Sequence, residues 1–509
     1  MSMIEDSFEF NEVTINALTR GVESGRYTAH SITQLYLTRI ELLDKLGPTI
    51  NAVIELNPDA LAIADQLDIE YKEKGPRGPL HGIPVLIKDN IDTADRMSTT
   101  AGSLALEGSI APRDAFLVER LRWAGAVILG KANLSEWANF RASHSVSGWS
   151  ARGGQTRNPY VLDRNPCGSS SGSAVAVAAN LSLVSVGTET DGSIVCPSAV
   201  NGIVGIKPTL GLISRSGVIP IAHSQDTPGP MARTVCDAAI LLNVLVGPDP
   251  ADPATKESTS KAEPDYTKFL DLQGLRGARL GIARRFFGFN AALDRVINDC
   301  IAVMRREGAE IIDPVDYPSH EKLKDTELDV LLYEFKSDLN AYLKTRGDSL
   351  SVRLLADIIA FNEERRTEEM PYFEQDIMIK AEMKGPLTEK AYKNALARNH
   401  KLSRTEGIDA VIGKNRLDAI VAPTTGPAWL TDWLTGDHES GSCSTPAAVA
   451  GYPHITVPAG FVGGLPVGIS FFGPAWGEPT LLRLAYSFEQ ATKMRRAPSF
   501  LPTVEFETL

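Results

Sequence analysis

The chain has 509 residues, 43% of them hydrophobic and 22% charged, which excludes a disordered polymer and allows a large buried core. Its net charge of −12 speaks against a nucleic-acid partner, because phosphate binding needs a basic face. No run of 18 apolar residues is present to cross a membrane.

In chain order, Met1-Ser2-Met3-Ile4-Glu5-Asp6 lacks the basic and apolar regions of a secretory leader, so none is expected. Leu18, Val22, Ile32, Leu35, Tyr36, Ile40 and Leu43 recur at helical spacing and predict two helices over 10–45, one starting near Thr28 or Ser31. Short Val/Ile runs beside Gly or Pro predict buried strands at 84–88, 126–130, 183–187, 203–207, 278–283, 418–422, 455–458 and 467–472. Helices are predicted between many of them, at 115–123, 133–140, 172–181, 234–246, 291–307 and 480–492. This alternation implies an α/β layered fold with a parallel or mixed sheet. Residues 247–265, rich in Pro and Asp, read as a surface loop within one domain, since the α/β pattern resumes at Ala278. Residues 318–410 turn charged and helical, either a cover over a site or a plain solvated layer. The five cysteines, Cys167, Cys196, Cys236, Cys300 and Cys443, form no Cys-x-x-Cys pair and are odd in number. They read as free thiols in a reducing compartment, which suggests the cytoplasm.

Three segments carry chemistry. Lys88 ends the apolar run Ile83-Pro84-Val85-Leu86-Ile87. A lysine is rarely buried without a partner, although one seen alone more often snorkels to solvent. Gly168-Ser169-Ser170-Ser171-Gly172-Ser173 precedes a helix of small residues. Taken alone it admits three readings: a phosphate cradle, a catalytic loop or a flexible turn. The phosphate reading fails its best test, because no Gly-Lys-Ser/Thr closes the loop. Gly187-Thr188-Glu189-Thr190-Asp191-Gly192-Ser193 follows a strand, and a sharp turn there can aim several N–H groups at one point, as an oxyanion requires. Glu189 and Asp191 without a nearby His or third acid are weak grounds for a metal. His81, His144, His223 and His454 lack a Gly-x-Ser-x-Gly elbow and read as structural. A serine hydroxyl needs a positioned base, and a desolvated, neutral lysine can be one.

Together these segments resemble the amidase signature family. The resemblance runs in order through Leu80–Asp89, Gly130–Trp137, 167–237, Pro453–Gly460 and Leu465–Ile469. It implies a single large α/β/α domain over 1–509, with a mixed central sheet surrounded by helices and a helical subregion at about 318–410. It implies Ser193 as nucleophile, Ser169 as a bridging serine at a cis peptide, and Lys88 as base. The oxyanion would be held by the N–H groups of Thr190, Asp191, Gly192 and Ser193, with no metal or organic cofactor. Glu189, Asp191 and Val195 stand where the commonest family pattern has Asp, Gly and Arg. That variant is similar to the branch of bacterial peptide amidases, which remove C-terminal peptide amides, and disfavours a transamidase component. The expected substrate is a short-peptide or small-molecule amide. The alternatives are an aryl-acylamidase, carbamate hydrolase or esterase with the same triad, and a non-catalytic amidase-like binding protein.

Overall fold

The computed structural model describes residues 8–317, 322–347 and 350–504. Met1–Asp6, read above for a leader, lie outside these residues, as do 318–321 at the start of the helical subregion. Helices Ile15–Glu23 (α1) and Ala29–Ile40 (α2) open the described chain. Thr28 caps α2: its Oγ1 accepts the Ser31 N–H at 3.1 Å while Ser31 Oγ accepts the Thr28 N–H at 2.9 Å.

The strands of the central sheet are Val53–Leu56 (β1), Pro84–Lys88 (β2), Val127–Ala132 (β3), Val184–Glu189 (β4), Val204–Lys207 (β5), Thr227–Ala232 (β6), Arg279–Ile282 (β7), Glu310–Ile312 (β8), Ala419–Pro423 (β9), His454–Val462 (β10) and Leu465–Phe472 (β11). They form one 11-stranded mixed sheet in the order β1-β3-β2-β4-β6-β5-β10-β11-β9-β7-β8. β2 runs parallel to both β3 and β4, and β7 runs parallel to both β8 and β9; the other neighbours are antiparallel. Every residue of β2, β3, β4, β6, β9 and β11 is buried. Such strands read as continuous apolar runs because both sheet faces are covered by helices. The chief helices of the sheet layers are Ala60–Lys74 (α3), Phe116–Trp123 (α4), Ser171–Ala178 (α5), Val195–Val200 (α6), Val235–Leu245 (α7) and Ala291–Arg306 (α8).

The predicted strands all occur, within a few residues. β6, Thr-Pro-Gly-Pro-Met-Ala, does not belong to that set, because proline argues against an interior strand. Its ladder to β5 reaches only Met231 and Ala232, so Pro228 and Pro230 lie beyond it on that side. The loop at 247–265 contains two short helical turns, Pro253–Glu257 and Ser258–Lys261. The helix predicted at 133–140 does not form. Only Glu136–Asn139 coils, and Trp137, Ala138 and Asn139 have φ of 50°, 54° and 67°. Tertiary bonds override the helical pattern there. Ser135 N–H donates to Ser169 O, Trp137 N–H donates to Ala101 O, and Glu136 pairs with buried Arg141.

Helices Lys324–Lys344 (α9), Leu355–Glu364 (α10), Asp376–Glu382 (α11) and Lys390–His400 (α12) follow between β8 and β9. Leu331, Leu332, Phe335 and Leu339 of α9 pack with Trp137, Phe140, Ile219 and Ile221. Arg141 pins this layer: its guanidinium meets Glu136, the carbonyls of Glu369 and Phe373, and the Phe373 ring at 4.1 Å.

The cysteines correct the sequence reading. Cys167 and Cys196 form a disulfide with Cα atoms 6.1 Å apart, leaving Cys236, Cys300 and Cys443 as thiols. A pairing across 29 residues has no local pattern to announce it. The bond ties the Gly/Ser loop to α6, and it removes the support that five free thiols lent to a reducing compartment. A thiol count on denatured, unreduced protein should give 3, rising to 5 after reduction. The Cys167→Ser/Cys196→Ser protein should lose up to about 3–4 kcal/mol of stability in denaturant titrations, the loop-closure entropy of a ring this size.

Candidate active site

β2 and β4 are parallel neighbours, with Val85 opposite Val184 and Ile87 opposite Val186. Their carboxyl ends therefore reach the same edge of the sheet, the edge where open α/β sheets bind ligands. Lys88 is the last residue of β2, and the segment Glu189–Ser193 leaves the end of β4. α5 begins at Ser171, just after Ser169, and its N-terminus abuts the same edge. One backbone bond, Ser170 N–H to Ser193 O at 3.2 Å, fastens the Gly/Ser loop to the turn. The Gly168–Ser169 peptide is cis.

Lys88 is fully buried. Its Nζ donates to Ser169 Oγ at 2.7 Å, Thr188 Oγ1 at 2.9 Å and Thr188 O at 3.2 Å. All three partners are neutral. Burial pushes its ammonium down to about 7, while the more distant carboxylates of Asp226 and Glu189 pull weakly the other way. Burial alone does not single this lysine out, since Lys131 and Lys207 are equally buried. What distinguishes Lys88 is a serine hydroxyl in contact with its amine.

The turn after β4 is built from the backbone outward. Gly192 has φ of +79°, a conformation side chains other than glycine's rarely adopt. Glu189 is buried, and its Oε2 accepts the N–H groups of Ile194 at 2.7 Å and Val195 at 3.0 Å. It thereby holds the start of α6. Among the described residues, no acceptor meets the N–H groups of Thr190, Asp191, Gly192 or Ser193. Those four residues line a cleft of about 310 Å³ together with Gly168 and the Cys167–Cys196 pair. Leu331 of α9 and Ile221 close it from the side of the helical layer, and Trp429 and the segment Ser442–Thr445 from the other. Four N–H groups without acceptors, on residues that line a cleft, are the kind of donors that can stabilise an oxyanion. A larger cavity, about 690 Å³, lies at Arg120, Trp123 and Val244 and contains none of these groups.

The structure brings Lys88 and Ser169 into contact and sets Thr190, Asp191, Gly192 and Ser193 along the cleft; among the described residues, no hydrogen bond joins Ser169 Oγ to Ser193 Oγ, and the turn meets the Gly/Ser loop through the Ser170–Ser193 backbone bond. The structure also adds residues that sequence reasoning did not weigh. Asp226 accepts Thr190 Oγ1–H at 2.6 Å and the N–H groups of Ile221 and Ala222 at 2.8 and 2.9 Å, with burial raising it to about 6. Thr188 supplies two of the three acceptors around Lys88. Gln225 donates to Thr190 O at 3.2 Å and to Glu327 Oε1 of α9 at 3.0 Å. Only the clustering of polar residues at 223–227 hinted at any of this. Asp191 accepts Thr445 Oγ1–H at 2.7 Å, so it is engaged by the protein itself. The histidines take structural positions: His454 is buried, held near 3 by burial and hydrogen-bonded to Ser470, and His81 meets Leu67 O at 3.0 Å.

Comparison with known proteins fits this geometry. The Amidase family model matches residues 31–482. The fold is similar to the crystal structure of the peptide amidase from Stenotrophomonas maltophilia, with TM-score 0.92 and 51% identity over 97% of this chain and 99% of that one. It is also similar to the crystal structure of an amidase family protein from Bacillus anthracis, with TM-score 0.87 and 35% identity over 98% of this chain and 94% of that one. In sequence, a probable amidase of Arabidopsis thaliana is 46% identical over 507 residues, 98% of this chain and 93% of the relative. On the span of the family match and the identity of these relatives, the chain belongs to the amidase family.

Proposed function

We propose that this amide-hydrolysing enzyme works through an acyl-enzyme on Ser193, with Ser169 and Lys88 as its proton relay. The observation that carries the reading is the 2.7 Å contact between Lys88 Nζ and Ser169 Oγ, made by an amine that burial brings to about 7. Neutral Lys88 takes the Ser169 proton as Ser169 takes that of Ser193, and Ser193 Oγ attacks the amide carbonyl. The N–H groups of Thr190, Asp191, Gly192 and Ser193 receive the oxyanion, each good donor contributing about 3 kcal/mol. The relay then returns its proton to the leaving amine, and water repeats the cycle on the ester. The scheme draws on side chains and backbone alone.

The substrate we infer is the C-terminal carboxamide of a short peptide, or a related carboxamide. Its support is the 51% identity to a peptide amidase, together with the resemblance of the Glu189, Asp191 and Val195 variant to that branch. An esterase, aryl-acylamidase or carbamate hydrolase would use the same groups. The domain reading follows: residues 1–509 act as one amidase domain, and α9 covers the cleft with Leu331. A cytoplasmic location is the remaining part of the reading. No helix among the described residues is long and apolar enough to cross a membrane. Fractionation of cells producing the protein tests the location.

A panel of peptide amides, anilides, carbamates and methyl esters should show the highest kcat/KM on peptide amides; a preference for another class would reassign the substrate. Mass spectrometry with a slow amide or ester should trap an adduct on the native protein and none on Ser193→Ala. An undiminished adduct would remove Ser193 from the mechanism.

The pH profile follows from the sign of the Lys88 shift. Lys88 must be unprotonated to act, so kcat/KM should rise with pH through about 7. Lys88→Ala should lower it by roughly 10²–10⁴-fold and flatten that limb. Leu331→Ala should change the ranking of bulky against small amides while leaving acylation by a small reactive amide within about threefold, the mark of lost substrate contact rather than lost chemistry.

A further inference from the structure

Asp191 stands two residues before Ser193 and lines the cleft. One of its oxygens, Oδ2, is filled by Thr445 Oγ1–H at 2.7 Å. The other, Oδ1, is buried and meets no N–H or O–H donor. Glu327 of α9 is itself buried, with 8% of its surface exposed, and its carboxyl group interacts with that of Asp191. Glu327 Oε1 already accepts from Gln225 Nε2 at 3.0 Å. Two carboxyl groups in hydrogen-bonding contact are both acceptors once ionised. Only a proton between them supplies a donor and removes the like-charge repulsion.

We propose that Glu327 and Asp191 share one proton, and that this proton latches α9 onto the turn that carries Ser193, making Glu327 a positioning residue. Gln225 completes the latch, because the same amide nitrogen also donates to Thr190 O at 3.2 Å. The covering helix is thus joined to residues 190 and 191 of the turn, two of the four that line the cleft with N–H groups meeting no acceptor. Burial and the Asp191 charge both hold the Glu327 carboxyl well above the ordinary carboxylate range, which agrees with its carrying the proton. The other charged side chains that interact with Asp191 come from separate elements: Glu189 at the end of β4, Glu439 across the cleft and Lys207 of β5. Among the described residues, Asp191 is the charge that acts on Glu327. The effect on rate rests on the reading of Ser193 as nucleophile; the latch itself does not.

The pH dependence has a definite sign. The folded chain keeps a proton on Glu327 at pH values where the unfolded chain, near an ordinary glutamate value of about 4.3, has lost it. This contribution to stability is full below the unfolded value and is lost as pH rises through the folded one. Above that, two anions face each other and α9 is pushed from the turn. Glu327→Gln replaces the titrating O–H with a permanent N–H donor to Asp191 and keeps an oxygen for Gln225. Glu327→Ala removes both bonds.

The test compares these two variants with the native enzyme in Tm and kcat/KM as functions of pH. For Glu327→Gln, Tm should decline less with rising pH than for the native protein, and its kcat/KM relative to native should climb with pH from a value within about threefold. Glu327→Ala should lose roughly tenfold in kcat/KM at every pH, the expected effect of removing one member of a buried hydrogen-bonded pair. Superimposable Tm and rate profiles for native and Glu327→Gln would overturn the shared proton. A native-like rate for a folded Glu327→Ala would overturn the positioning role. Trapping an adduct on Ser193→Ala separates failure of the nucleophile reading from failure of the latch, because the Tm profiles read the latch without any turnover.

Discussion

Everything at the sheet edge depends on keeping the amine of Lys88 away from both water and a directly bonded carboxylate. In water a lysine is an ammonium and no base; beside a carboxylate in the interior it would stay charged. The protein solves this with oxygen atoms that carry no formal charge, those of Ser169 and Thr188. They satisfy the three donors of the ammonium form while leaving its charge uncompensated at contact range. The nearest acids are committed elsewhere: Asp226 to Thr190 and two backbone amides, Glu189 to the first amides of α6. The parallel placement of β2 beside β4 brings these oxygens to the amine, and helices on both faces keep solvent from it.

The same economy governs the turn. A carboxylate that caps α6 from within the preceding strand fixes the backbone on one side of Ser193, and the disulfide fixes α6 to the Gly/Ser loop on the other. Between them, the amides of residues 190–193 are left without internal acceptors. Unsatisfied buried donors are costly in a fold with no use for them. Here they border a cleft, where a substrate oxygen can meet them.

Much of this was legible in the sequence, for identifiable reasons. The interior strands are short apolar runs because both their faces are buried, and periodicity reports burial directly. Lys88, Ser169 and Ser193 stood out because a cation at the end of an apolar run, and serines in glycine-rich turns, are exceptions to local rules. What escaped was set by distant partners. β6 carries two prolines and is a strand because β4 pairs along its whole length while the β5 ladder stops short of them. Residues 136–139 have helical composition, yet Arg141 and the backbone of residues 101 and 169 pull them into left-handed turns. The Cys167–Cys196 bond and the Gln225–Glu327 contact leave no periodic trace. Burial likewise marks Lys131 and Lys207 as strongly as Lys88, so the choice between them came from motif order and is explained only by the serine at contact distance.

The site is also assembled from far along the chain. Lys88 meets a serine 81 residues later, Gln225 meets α9 across 102 residues, and Asp191 is braced by a threonine 254 residues away. Contacts of such sequence separation form late, after most of the loop-closure entropy has been overcome. A chain still emerging from the ribosome therefore holds Lys88, Ser169 and Ser193 well before it holds Thr445. The turn bearing the serine lacks that brace until the last eighth or so of the polypeptide has begun to be made. The order of synthesis delays the finished turn until the fold that encloses it is nearly complete.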